Sequence, residues 1–155
     1  MTPEQKIILA LRHNARQTLT EMSKITNIPI STLYDRIKNY QQSYVRRFTS
    51  LIDFSSLGYG TQASVTLKVK REKRDELRAY LLQHPNINTL QKVNNGYDFM
   101  FEVVFSHLKL MEEFLEHLEE QFLIKTKQVF YIIEDIAREK FMSDADIHGL
   151  LKDEP

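Results

Sequence analysis

The chain has 155 residues, 42% of them hydrophobic and 27% charged, a composition that suits one ordinary globular domain or two small ones and argues against disorder. With no cysteine it has no disulfides, no thiolate nucleophile and no Cys-based zinc or iron–sulfur site, in keeping with a reducing compartment. A run of about eighteen apolar residues and a basic-then-apolar leader are both missing from the sequence, so the expectation is a cytoplasmic protein with no membrane partner.

Pro3 suits the start of a helix, and Ile7, Ile8 and Leu11 then recur at helical spacing. Thr18-Leu19-Thr20-Glu21 fits a capping box, so a second helix begins near Leu19 with Leu19, Met22 and Ile25 inward. It stops around Asn27, which tolerates the left-handed conformation of a turn, and before Pro29, which disfavours helical geometry at Ile28. A third helix follows, with Ser31 as its expected cap. It hides Leu33, Ile37 and Tyr40 and turns Thr32, Tyr34, Asp35 and Lys38 outward. Two short helices joined by a tight turn are a helix-turn-helix, and the outward set can hydrogen-bond base edges and phosphates. Ser31 lies where the positive end of the helix meets a phosphate. Asp35 accepts from a cytosine amino group or else pairs with Lys38 on the surface.

Tyr44-Val45-Arg46-Arg47-Phe48 and Leu51-Ile52-Asp53-Phe54 read as a short strand or wing, in which adjacent Arg46 and Arg47 face opposite ways and at most one meets a given phosphate row. Residues 1–55 hold 8 Lys/Arg against 4 Asp/Glu, and residues 56–155 hold 13 against 17, so a basic first part precedes an acidic remainder.

Ala63 to Lys70 alternates apolar and polar residues throughout, the pattern of a half-buried strand. A helix with Leu77, Tyr80 and Leu81 inward follows, then a strand from Ile87 to Val93 that ends in Asn94-Asn95-Gly96, a strong hairpin signal. The returning strand puts Tyr97, Phe99, Phe101, Val103 and Phe105 on one face. A second helix carries Leu108, Met111, Leu115, Leu118 and Phe122, and Val129 to Ile133 closes as a strand. The order βαββαβ predicts an α+β fold whose second part is ferredoxin-like, an antiparallel sheet with both helices on one face. Because Val129–Ile133 is apolar on both faces, and Met100 and Val104 lie opposite the aromatic row, the bare face invites a second copy of the chain. Residues 134–155 read as a C-terminal helical extension with many acids.

A helix-turn-helix with a wing, a linking strand and a βαββαβ domain in this order resembles the leucine-responsive/asparagine-operon (Lrp/AsnC) family of transcription regulators. The resemblance covers residues 4–133. It rests on Lys6-Ile7-Ile8-Leu9-Ala10-Leu11, Asn14-Ala15-Arg16, Glu21-Met22-Ser23, Ser31 to Lys38, Leu57-Gly58-Tyr59 and Gly96-Tyr97-Asp98. It implies a winged helix-turn-helix with its linking strand over residues 1–55, a ferredoxin-like effector and oligomerisation domain over residues 56–133, and the extension from 134. It also implies operator DNA as partner, dimers or higher oligomers, and, in many members, an amino-acid effector. Arg36 is shared with the family, as a DNA contact or an internal brace. The sequence departs from the family pattern at Asn27, where glycine is usual, at Pro29, where a capping Ser is usual, and at Ser43, where glycine usually ends the third helix.

For an effector, Asn94, Asn95, Gly96, Tyr97 and Asp98 combine donors, acceptors and a glycine that allows close backbone approach, although the same residues also make a plain hairpin turn. Catalysis finds little support. Asp98 and Glu102 share a strand face but stand roughly 13 Å apart at about 3.3 Å per residue, too far for a glycosidase pair. The histidines at 13, 84, 107, 117 and 148 form no i, i+4 pair, and neither a Walker loop nor a GxGxxG occurs, so no metal or cofactor is expected. Two DNA-binding readings stay open: a ligand-responsive sequence-specific regulator, and a ligand-independent architectural DNA binder of the same fold.

Overall fold

The structure, a computed structural model, describes residues 1–143. The described chain divides into two units, one of Met1–Leu51 with residues 136–143, the other of Ile52–Asp135.

The first unit contains α1 (Pro3–His13), α2 (Leu19–Thr26) and α3 (Ile30–Tyr40). Thr2 caps α1: its hydroxyl accepts from the Gln5 N–H at 3.3 Å while its own N–H donates to the Gln5 side chain at 3.0 Å. The box expected at Thr18 forms, the Glu21 N–H donating to the Thr18 hydroxyl at 3.1 Å and the Thr18 N–H to the Glu21 carboxylate at 2.7 Å. Donation from the Thr18 backbone, then from its hydroxyl, lowers the Glu21 carboxyl below its ordinary range. Asn27 ends α2 in the left-handed conformation, φ 57°. Ile7, Ala10, Leu11, Met22, Leu33 and Tyr40 share one core, with Leu19, Ile28 and Ile37 packed against it. Burying each of the larger of these contributes about 1.5–3 kcal/mol.

Three expectations are corrected here. Ile25 lies at the surface and Thr26 is buried in its place, its hydroxyl donating to the Met22 carbonyl at 2.7 Å, because the inner stripe steps by four rather than three after Met22. At Ser43, where the sequence departs from the family pattern, α3 ends without a left-handed residue, through the Tyr40 carbonyl, which accepts from the N–H groups of Ser43, Tyr44 and Val45. The segment read as a strand or wing over 44–54 has no regular secondary structure: among the described residues none of its backbone groups is paired in a strand ladder. Residues 134–143 form turns and bends rather than a helix, and the rest of the expected extension lies outside the described residues.

The second unit is βαββαβ: β1 (Thr61–Val69), α4 (Arg74–Gln83), β2 (Ile87–Lys92), β3 (Phe99–Phe105), α5 (Leu108–Gln121) and β4 (Ile124–Tyr131). The sheet order is β2-β3-β1-β4 with every neighbouring pair antiparallel, the ferredoxin-like arrangement. Ala63, Val65, Leu67 and Val69 of β1 and Phe99, Phe101, Val103 and Phe105 of β3 bury one sheet face. Over it lie Leu77 and Leu81 of α4 and Met111, Phe114, Leu115 and Leu118 of α5. Phe114 joins this core where Leu108 was expected, and Leu108 is exposed.

β4 starts at Ile124, earlier than the apolar run suggests, because it is an edge strand whose Lys125 and Lys127 hide its pattern. On the open face, Ser64 pairs with Glu102 and Phe130, and Thr66 with Met100 and Gln128. Apolar and polar side chains therefore alternate there, with Phe130 55% exposed and Val104 buried.

Candidate nucleic-acid interface

Pro29 is the N-cap of α3, with φ −57° and ψ 143°, and makes no side-chain cap bond. Ile30 is thus the first helical residue and Ser31 the second, so the expected Ser31 cap does not form: its hydroxyl is already inside the helix. α1 and α2 each begin in a complete capping box, whereas α3 begins with its first N–H groups uncapped. Those groups and the positive end of the helix form an anion-accepting terminus beside the exposed Ser31 hydroxyl.

The core stripe of Leu33, Ile37 and Tyr40 sets the rotation of α3. It turns Ser31, Tyr34, Asp35, Lys38 and Asn39 to the surface, Tyr34 being 59% exposed, and leaves Thr32 half-buried at the flank. Asp35 and Lys38 make no ion pair with each other among the described residues. Asn39 was missed by the sequence reading. Its signal was its position, since it lies four residues beyond Asp35 on a helix whose inward stripe was already identified, and its amide matches the edge of adenine.

Arg36 faces the other way. Its Nη1 donates to the Glu4 carboxylate of α1 at 2.6 Å, so the side chain braces α3 on α1 instead of joining the outward set. A backbone hydrogen bond, with Arg36 and Thr2 contributing, lowers the Glu4 carboxyl from its ordinary value. Arg46 and Arg47 are exposed in the irregular segment after α3, with neither held in a ladder.

In the second unit, the loop between β2 and β3 turns through Asn95 (φ 59°) and Gly96 (φ 87°), with the Tyr97 N–H donating to the Asn94 carbonyl at 3.4 Å. Two consecutive left-handed residues are what an Asn-Gly hairpin turn requires. Tyr97 belongs to this turn rather than to β3. Both carboxylate oxygens of Asp98 are engaged. One accepts from the Val69 N–H at 3.0 Å, just beyond the last β1–β3 pair, Leu67 with Phe99, and the other pairs with Arg74 at 2.8 Å. The Asp98 side chain is 12% exposed, and its geometry is that of a brace between strand and helix. Asn94, Asn95 and Gly96 remain exposed on the loop.

No family model matches the chain. Over 114 residues, 73% of its length, it is 31% identical to the HTH-type transcriptional regulator FL11 of Pyrococcus horikoshii, covering 76% of that protein. Among solved structures, LrpC of B. subtilis superposes with a TM-score of 0.79 at 17% identity, over 88% of this chain and 96% of that one. A transcriptional regulator of Neisseria meningitidis solved in complex with L-Met superposes with a TM-score of 0.83 at 18% identity, over 96% of this chain and 97% of that one.

Proposed function

This chain belongs to the Lrp/AsnC family of HTH-type transcription regulators, and from that premise we propose that it grips double-stranded DNA as a homodimer or higher homo-oligomer and responds to an amino acid or similar small molecule. It is a DNA-binding transcription regulator, and the role proposed for it, in the cytoplasm, is regulatory rather than catalytic.

The observation that carries the DNA reading is the contrast in helix starts: two of the three N-terminal helices are capped and the outward-facing α3 is not. Ser31 and the α3 terminus meet phosphate. Tyr34, Asp35, Lys38 and Asn39 reach base edges or the adjacent backbone, Thr32 lies at the margin, and Arg46 and Arg47 take flanking phosphates. Two copies place two α3 helices in successive major grooves about 34 Å apart on a pseudo-palindromic site. The exposed Phe130 on the open sheet face supports pairing of copies through that face.

An effector, by binding one assembly better than another, changes how many sites are held at once. The L-Met bound to the Neisseria regulator makes an amino acid the first class to try. For the loop of Asn94, Asn95, Gly96 and Tyr97, backbone groups and amides are the available contacts. The internal engagement of Asp98 favours, at that one point, the second reading of a ligand-independent architectural binder.

Selection of duplexes from a random pool by the purified protein tests the proposal. Recovery of inverted repeats with half-sites about one helical turn apart supports it. Recovery of no sequence preference favours the architectural reading. An amino-acid mixture that leaves the mass distribution in sedimentation unchanged removes the effector claim.

A further inference from the structure

Because residues 136–143 belong to the first unit, the DNA-binding unit is joined to the sheet domain twice, across residues 51/52 and again across 135/136. Arg12 contacts the second connection at two residues. Arg12, in the last turn of α1, donates through Nε to the Phe141 carbonyl at 2.7 Å. Its Nη2 donates to the Glu139 carbonyl at 2.8 Å and to the Glu139 carboxylate at 3.1 Å. His13 Nδ1 lies 3.4 Å from the Ser143 carbonyl, within reach to donate.

Apolar burial does not hold this segment, since Ile136 is 93% and Phe141 81% exposed. It nevertheless contains two left-handed residues that are neither glycine nor asparagine, Glu139 at φ 53° and Met142 at φ 56°. Such conformations persist where the surroundings over-determine them, and the Arg12 fork holds Glu139 itself and Phe141, the residue before Met142. Residues 52–55 and 132–135 also line one cleft of about 180 Å³, so the two connections leave the sheet domain side by side.

We propose that Arg12 is a positioning residue for DNA recognition: by latching Glu139 and Phe141 it makes the connection to the DNA-binding unit double and so restricts which half-site spacings a dimer can engage. The proposal rests on the dimeric DNA-binding reading above. A single flexible connection lets the second unit sample many separations. A double one narrows that distribution, raising the effective concentration at the matching spacing and lowering it elsewhere. The rigid guanidinium fork suits acceptors fixed on two residues, which a lysine ammonium at the same position does not reproduce. As the Glu139 carboxylate is solvent-exposed, the latch is reversible and weakens with salt.

The test compares full-length wild type, Arg12→Gln and Arg12→Lys on the duplex recovered by the selection above, on its single half-site, and on versions with the half-sites moved about five base pairs apart. Both variants should bind the single half-site within about twofold of wild type, bind the paired duplex about three- to tenfold more weakly, and discriminate less between spacings. Paired binding equal to wild type in Arg12→Gln overturns the proposal, as does full spacing preference in Arg12→Lys. Equal weakening on single and paired sites also overturns it, since a direct DNA contact or a damaged fold acts on both. If wild type itself gains nothing from pairing, the dimeric reading fails. Trypsin cleavage after Arg138 and Lys140 without DNA then reads the latch: faster cleavage in Arg12→Gln supports it and equal rates refute it.

Discussion

Asp98→Ala separates a structural carboxylate from an effector-binding one. Asp98 satisfies the Val69 N–H at 3.0 Å where the β1–β3 ladder has ended at Leu67 and Phe99, and Val69 is almost completely buried. Leaving a buried donor unpaired costs about 1–3 kcal/mol. Losing the partner of Arg74, whose side chain is partly exposed, adds at most about 1 kcal/mol. The sum, about 1–4 kcal/mol, corresponds to a drop of roughly 5–30 °C in the melting temperature of a domain the size of the Ile52–Asp135 unit. Asp98→Asn retains an acceptor for Val69 and should lose about a third as much, on the order of 1 kcal/mol. Thermal melts followed by circular dichroism on the full chain measure both. If Asp98→Ala melts within about 2 °C of wild type, the bracing argument is wrong and the carboxylate is available to a ligand ammonium.

Three further outcomes follow from the same geometry. Lys38→Ala should weaken duplex binding evenly across sequences and reduce the slope of log K against log salt by about one, whereas Arg36→Ala, which breaks the pair with Glu4, should leave the slope unchanged; fluorescence anisotropy over a salt series reads both. Thr18→Ala removes the cap of α2 and should destabilise the helix-turn-helix by about 0.5–2 kcal/mol, read by amide exchange of that unit. Burial, with the nearby His117 adding, depresses the His84 imidazole below its ordinary value, and its Nδ1 accepts from the Asn86 N–H. The unfolded chain therefore takes up this proton first, so the stability present above about pH 6.5 should be lost as pH falls through the depressed value, and His84→Gln should flatten that part of the melting-temperature profile.

Much of this was legible because local chemistry and tertiary role coincide. The Thr18–Glu21 box, the left-handed Asn27, the alternation from Ala63 to Val69 and the Asn95-Gly96 turn each state their geometry in a few adjacent residues. What the sequence concealed depends on distant partners. Arg36 is basic on the recognition helix, yet Glu4, thirty-two residues away, takes it inward. The carboxylate of Asp98 completes the end of a strand ladder that no periodicity reveals, and β4 hides its first half behind edge lysines. Ser31 has the chemistry of a cap, but Pro29 occupies the cap position itself with suitable φ and ψ. The return of residues 136–143 to Arg12 spans well over a hundred residues and has no local signature at all.

The most direct test of the account is binding of the purified full-length protein to the DNA upstream of its own gene, across a salt series, with and without a mixture of the twenty amino acids. The account predicts tight binding whose log K falls linearly with log salt, lost when Ser31, Tyr34, Lys38 and Asn39 are all replaced by alanine, and shifted by the mixture. Binding that is absent, or that ignores salt and survives the fourfold replacement, would contradict the claim that the outward face of α3 reads DNA.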